Sequence, residues 1–321
     1  MRLLWVCIFL LYGYRLFAQG WEEHSADVLK KHLKEHPDQT VSVSIFSTDT
    51  IISMFSGKLA ETYTDSTHFK AGWLLMLSQA YFSTERSLEQ SSFLSENVVK
   101  DVSVGQLLTN YSGYPRYPWA MDSCNSQSLH AFTEHYKLSE KKKSFQVSFT
   151  GISMLEDWLR LHFPAYPSSV FQQWGIQPVI GSMQPLQLAQ SKVIRQVLPI
   201  ACWPFCMSCA QPGLWLSRMD AEELLQQIIE SNAIWSRMMQ PKAETPLPTL
   251  QMALGFQIAT NMKALPLAML ASTDGGNSCF LAIAPNTRTG ILILGDTDEP
   301  VDNLGLSLMS FFHRDILKFK P

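Results

Sequence analysis

Charge is scarce in this sequence: 17% of its 321 residues are Asp, Glu, Lys or Arg, and the formal net charge is −3. Binding that tracks nucleic-acid phosphates needs a positive excess, so that class of partner is excluded. The 16 Gly and 17 Pro follow no period, which excludes collagen-like and low-complexity architectures. Beyond the first twenty residues no run approaches the roughly 20 apolar residues of a membrane span. Metal-ligand spacing is missing as well. His130, His135 and His162 stand in the helical part of the chain without a pattern such as H-E-x-x-H, so no metal site and no cofactor are expected. What the chain does have is apolar mass. A hydrophobic content of 46% suffices for one large core or two modest ones and rules out intrinsic disorder.

Arg2, the apolar run Leu3 to Leu11 and the small Ala18 have the layout of a cleavable secretory signal. Gly13, Tyr14 and Arg15 interrupt the run, which leaves it too short to span a membrane. Residues 1–19 are read as signal peptide, an uncleaved N-terminal anchor being the competing reading, and the mature chain is expected to be exported and soluble. Its 23 basic residues then face 28 acidic ones. Cys124, Cys202, Cys206, Cys209 and Cys279 remain, an odd number for an oxidising compartment. The C-x3-C-x2-C spacing from Cys202 to Cys209 superficially matches a radical-enzyme cluster loop. Iron–sulfur assembly belongs to the reducing cytosol, so one local disulfide or buried thiols is the better reading.

Val41, Val43 and Ile45 alternate with small polar residues, and Ile51 to Phe55 resumes the apolar run after Ser47-Thr48-Asp49-Thr50, which is a β-hairpin signal. Trp73 to Phe82, led by Gly72, predicts a largely buried helix. Residues 100–260 read as helix and loop. Helical spacing covers Val104–Thr109, Met154–Phe163, Ala189–Val197 and Asp220–Met239, with Pro-rich breaks at 115–118, 164–167 and 241–248. Leu267–Ala271, Ser278–Ala284 and Gly290–Gly295 read as an antiparallel meander, and Asn303–Phe319 as a closing amphipathic helix. The expected class is α+β, with an antiparallel sheet flanked by helices and an all-α part inserted. The α/β part would take about 38–80 and 250–321, and the helical part about 81–249, within one domain at 20–321.

The segment from Val102 to Pro115, VSVGQLLTNYSGYP, resembles the "ITIRHLLTHTSGLP" stretch of the serine β-lactamase and penicillin-binding-protein-like family, in its class C and D-aminopeptidase branch. Phe69-Lys70-Ala71-Gly72 resembles the "FRIGS" lead into that family's nucleophile helix. Ser148 to Gly151 with Met154-Leu155, Ala210 to Trp215 with Asp220, Leu254-Gly255-Phe256, and Asp274 to Gly295 resemble further family segments in the same order, over roughly residues 40–320.

The resemblance implies a serine-hydrolase fold and assigns positions to its three motifs. At the S-x-x-K positions stand Trp73 and Met76, and neither an indole nor a thioether can replace a serine and its basic lysine. Val147 and Phe149 occupy the Y-x-N positions. The K/H-T-G positions fall on Ser272 or Thr273, then Asp274 and Gly275, with no cation in either register. Catalytic positions that read Trp, Met, Val and Phe predict a pocket filled with apolar side chains. Thr67, beside His68 and three residues before Lys70, and Ser78, which lacks a basic neighbour in sequence, are the only displaced nucleophiles to weigh.

Tyr111, Tyr114, Arg116, Tyr117 and Trp119 form an aromatic cluster expected to be exposed at the cleft rim, where it would bind a glycan or peptide or else pack on itself. Lys141-Lys142-Lys143 reads as a solvated run. Two functions compete. One is a secreted, catalytically inactive pseudoenzyme of the periplasm with a binding or scaffold role in the bacterial envelope, whose partner would be peptidoglycan, a peptide or an envelope protein. The other is a divergent serine hydrolase acting on peptide, ester or amide bonds.

Overall fold

A computed structural model describes residues 23–47, 50–91, 102–114, 145–180, 214–230, 233–259, 266–274 and 276–310. The expected hairpin is strands β1 (Thr40–Ser47) and β2 (Thr50–Gly57), paired antiparallel with Val43 opposite Met54. The expected meander is β9 (Leu267–Asp274), β10 (Asn277–Ala284) and β11 (Thr289–Gly295). Across the chain β1 pairs with β11, so one eight-stranded sheet runs in the order β2-β1-β11-β10-β9-β8-β7-β6, where β6, β7 and β8 are Ala243–Glu244, Leu250–Met252 and Gln257–Ala259.

Strands β10 and β11 are buried along their whole length because helices cover both faces. On one face Cys279, Leu281, Leu292 and Leu294 pack with α2 (Gly72–Glu85) and α6 (Arg218–Glu230). On the other, Phe280, Ala282, Ile291 and Ile293 pack with Leu29 of α1, described from residue 23 to 35, and with Leu304 and Leu308 of α8 (Asp302–Met309). The small polar residues of β1 are not on a wet face. Ser44 and Ser53 both donate to the Glu222 carboxylate on α6, at 2.6 and 2.5 Å.

Helix α2 has no single apolar stripe and is buried on nearly every side, as a central helix must be. Helix α3 (Val104–Leu108) starts on a capping box. The Ser103 hydroxyl accepts from the Gln106 N–H, and the Gln106 side chain accepts from the Ser103 N–H. Helix α4 (Phe149–His162) begins five residues before its apolar repeat because the Ser148 hydroxyl caps it, accepting from Gly151 N–H at 2.9 Å. The helix expected over Asp220–Met239 is two, α6 and α7 (Ala233–Met238). α8 supplies the first part of the expected closing helix; its remainder, 311–321, and the helix expected at Ala189–Val197 lie outside the described residues.

The expectation of helix and loop alone over 100–260 is corrected. Besides α5 (Ser168–Gln173), this region holds β4 (Val179–Ile180), β5 (Leu214–Ser217) and β6 to β8. Strand β5 sits between β4 and β3 (His68–Lys70) in a separate three-stranded sheet, with Phe69 opposite Leu216. Strands of two to four residues are too short to show an alternation, and β3 and β5 lie far apart in the chain. The architecture is α+β, as expected. Among the described residues no helix is long and apolar enough to cross a membrane.

One polar cluster ties the chain ends together. Gln39 accepts from the His32 ring through Oε1 at 2.7 Å and donates through Nε2 to Thr297 Oγ1 at 2.9 Å and to the Glu299 carbonyl at 3.1 Å, while His36 lies 3.4 Å from the Glu299 carboxylate. Burial holds the His32 ring below its ordinary pKa; the Gln39 contact and the charges of Glu35 and Glu299 oppose this, and His36 reinforces it.

Candidate functional site

At the start of α2 a cavity of about 340 Å³ lies between that helix, the α3–α4 junction and the edge of the sheet. Trp73, in the first helical turn, and Met76, one residue short of a turn later, both line it, as do Val147, Ser272 and Thr273. Phe149 is the first residue of α4 and Asp274 the last of β9, while Gly275 lies outside the described residues. The fold thus gathers positions from three distant segments around one space. The walls are largely apolar, but the pocket is not filled, which corrects the expectation of a packed plug. Trp73 is 1% exposed and Met76 half-buried, yet the space they border stays open.

Three further lining residues were not singled out from the sequence. Asn110 ends α3 with a positive φ of 60°, and its side-chain carbonyl accepts from Ser148 N–H at 3.0 Å, fixing the start of α4 against the cavity. A left-handed Asn after a capping box is the one signal that could have marked it. Gln257 follows Gly255, whose φ of +78° makes the turn into β8. Asp302 is the first residue of α8. Nothing local in the sequence distinguishes either.

Within β9, only Leu267 to Met269 pair with β8, yet Leu270, Ala271, Ser272 and Thr273 all line the cavity. Side chains of successive strand residues point to opposite faces, so four in a row meet one space only along the strand's edge. That edge carries alternate N–H and C=O groups toward the cavity.

The chemistry of the walls is limited. Among the described lining residues there is no Lys, Arg, His or Tyr, and Asp302 is the single charged one. The Trp73 indole Nε1–H is buried with no hydrogen-bond partner, a loss of about 1–3 kcal/mol for a sealed donor. Ser272 and Thr273 supply the hydroxyls among the described lining residues, and no Lys, His or Tyr in that set stands with them as a general base. Cys279 also lines the cavity, and burial pushes its thiol well above the usual range, away from the reactive thiolate.

The displaced nucleophiles fare no better. Ser78 is fully buried and absent from the cavity wall. Its hydroxyl donates to the Leu75 carbonyl at 2.8 Å and meets the Tyr166 hydroxyl at 3.0 Å. Tyr166 donates onward to Glu156 at 2.8 Å, and Glu156 also accepts from Gln79 at 3.0 Å and Arg160 at 2.6 Å. This is a closed structural network. Thr67 precedes β3 and accepts from Thr64 N–H at 2.8 Å, while the Lys70 ammonium lies over the Trp215 ring at 5.6 Å. His162 stands exposed at the end of α4.

The expected exposed rim is corrected at Tyr114. Gly113 turns the chain with a φ of +78°, and Tyr114 becomes a fully buried part of the main core. Tyr111 is half-buried against Phe145 at 6.0 Å between ring centres. Arg116, Tyr117, Trp119, Lys141, Lys142, Lys143, His130, His135, Cys124, Cys202, Cys206 and Cys209 lie outside the described residues. Among the described residues no group of three His, Cys, Asp or Glu side chains could hold a metal ion.

No known family profile and no curated protein matches the sequence. Solved structures do resemble the fold. An octameric penicillin-binding protein homologue from Pyrococcus abyssi superposes with a TM-score of 0.71 at 15% identity, covering 92% of this chain and 77% of that one. A class C β-lactamase gives 0.75 at 14% identity over 91% and 96%. A β-lactamase/D-alanine carboxypeptidase from Pseudomonas syringae gives 0.74 at 13% identity over 94% and 100%. The helix that opens on Trp73, the sheet edge at Thr273 and the cavity between them are therefore parts of one known architecture, and this chain has the fold of the serine β-lactamases and penicillin-binding proteins.

Proposed function

We propose that this protein is a secreted member of that fold which does not acylate, and which uses the cleft at the start of α2 to hold a ligand reversibly in the bacterial envelope. The observation that carries the reading is the pair Trp73 and Met76 on the cavity wall. A serine hydrolase of this fold needs a hydroxyl there with an amine one turn on, and the resemblance puts an indole and a thioether at those places. The remaining described walls supply neither a Lys, His or Tyr to serve Ser272 or Thr273 as a base nor a cation for an oxyanion. The cavity's size supports binding, since about 340 Å³ falls within the range of small-ligand sites. Export rests on the signal-like residues 1–19.

The test is covalent labelling read by intact mass. The protein incubated with a fluorescent penicillin and with a fluorophosphonate should gain no adduct, and a chromogenic cephalosporin should not be turned over. An adduct on any serine or threonine sinks the reading. The double variant Trp73→Ser with Met76→Lys should stay inactive, because the amide, phenol and strand cation act with the nucleophile as a unit.

A further inference from the structure

We propose that two copies of this chain associate through the outer edge of β2, antiparallel across a two-fold axis at Ser53, to make one continuous sheet. The inference does not involve the cleft.

Strand β2 ends the eight-stranded sheet, and no described strand lies on its outer side. The phase of the ladder says which groups point there. Asp296 N–H donates to the Thr40 carbonyl at 3.1 Å, so the even-numbered residues of β1 bond β11 and the odd-numbered ones bond β2. Their partners on β2 are Thr50, Ile52, Met54 and Ser56. Ile51, Ser53 and Phe55 therefore direct N–H and C=O outward, where no described residue meets them. Natural sheet edges are guarded by charge, proline or a bulge. This one is not: the register of β2 with β1 is unbroken from Thr50 to Gly57, and the strand holds no charged residue and no Pro.

Symmetry selects a second copy over any other extended chain. An isologous two-fold contact needs a surface complementary to itself. Outward from Ser53 the strand reads alike in both directions: Ile52 and Met54, then Ile51 and Phe55, are apolar, and Thr50 and Ser56 carry hydroxyls. A two-fold normal to the sheet keeps each face on its own side, and sets Ser53 against the partner's Ser53, Ile52 against the partner's Met54 and Ile51 against the partner's Phe55. In that register the residues with outward N–H and C=O groups stand opposite one another. Residue pattern and ladder phase agree on one pairing.

The side chains fit it as well. Ile51 is 40% exposed, and Ile52, Met54 and Phe55 are only half-buried against the two cores. The Ser53 hydroxyl, held by Glu222 at 2.5 Å, stays within its own subunit. Gly57, with a φ of +124°, ends the strand and confines the contact to its length. An edge so short falls below the roughly 1,000 Å² of a stable interface, so the dimer is a weak one. Strand β9 lies beyond β1, β11 and β10, which leaves both clefts clear of the seam.

The experiment is sedimentation velocity over a concentration series, joined to amide hydrogen exchange resolved to single residues. The mass should pass from monomer to dimer between about 1 μM and 1 mM. Over the same range exchange at Ile51, Ser53 and Phe55 should slow at least about tenfold, whereas Ile52 and Met54, already bonded to β1, should not change. Ile51→Lys, which seats an ammonium against the partner's Phe55, should weaken the dimer at least about tenfold. Leu161→Lys, at a 78% exposed site on α4, should leave it unaltered. The exchange pattern of the parent protein stands apart from any variant's folding. A chain that stays monomeric, a dimer without slowed exchange at those three amides, or a dimer that Ile51→Lys spares or Leu161→Lys dissolves equally would overturn the proposal.

Discussion

Removing the Tyr166 hydroxyl tests the buried network beneath the cleft. Tyr166→Phe keeps the ring, which is 3% exposed, and deletes an oxygen that donates to Glu156 at 2.8 Å and meets Ser78 at 3.0 Å. Ser78 keeps its bond to the Leu75 carbonyl, so its loss is small. The Glu156 carboxylate loses one of its three donors, and hydrogen bonds to charged groups are worth about 1.5–3 kcal/mol. The expected destabilisation is about 2 kcal/mol. Glu156→Ala strands Gln79, Tyr166 and Arg160 together and should cost about 3–5 kcal/mol. The double variant should cost about 1–2 kcal/mol less than the sum, because the two changes remove the same bond. Burial, followed by the charge of Glu156, pushes the Tyr166 phenol well above its ordinary pKa, so it remains a donor at alkaline pH and the deficit should not vary between pH 6 and 9. Urea unfolding with an unchanged denaturant slope is the assay. A cost below about 0.5 kcal/mol, the scale of an uneventful surface change, or simple additivity in the double variant, would refute the network.

Asp157 has its carboxyl pushed up to about 6 by burial and then by Glu156, against Arg160. The folded state therefore binds more protons than the unfolded one between about pH 4 and 6, and this residue's contribution to stability rises as pH falls. Asp157→Asn should raise the Tm at pH 7.5 and lose that advantage by pH 4.5 in thermal scans. His32 works in the opposite sense: its folded pKa is depressed, so the unfolded state takes the proton first and stability falls as pH drops below about 6.5. His32→Gln should flatten that fall relative to the parent protein between pH 6.5 and 5. A Cβ at Gly305 would sit 2.1 Å from Phe280 Cδ1, so Gly305→Ala should cost about 1–3 kcal/mol by overpacking. Adding Phe280→Leu should recover part of that loss in denaturant melts; no recovery would locate the strain elsewhere.

Legibility in the sequence followed the range of the interactions. The hairpin, α2, the helical spacing of α3 and the β9–β11 meander announce themselves through contiguous periodicity. Strands β3 and β5 do not, because each is short and they meet across a long stretch of chain. Trp73, Met76, Val147 and Thr273 were placed by motif register, whereas Asn110, Gln257 and Asp302 join the cavity through a left-handed turn, a short strand and a helix start contributed by separate parts of the chain. Tyr114 reads as part of an aromatic, Pro-flanked surface run, and only the turn at Gly113 sends it inward. The open volume of the cavity has no pattern signature at all. Apolar residue types say that a wall is greasy, and the separation of the backbones decides whether opposing walls touch.

The seam between β1 and β11 governs how the molecule comes into being. Thr40 and Asp296, joined by a 2.6 Å bond, stand 256 positions apart, so the loop between them must be closed before the sheet gains anything from pairing its middle strands. At synthesis rates of about 5–20 residues per second, β1 would wait roughly 10–50 s for its partner to leave the ribosome. Throughout that interval the hairpin Thr40–Gly57 shows an open edge bearing Val41, Val43 and Ile45. The C-terminal meander needs no such wait, since its turns are local. The last strands made can therefore pair as soon as they emerge, whereas the first ones carry an unpaired edge until β11 arrives.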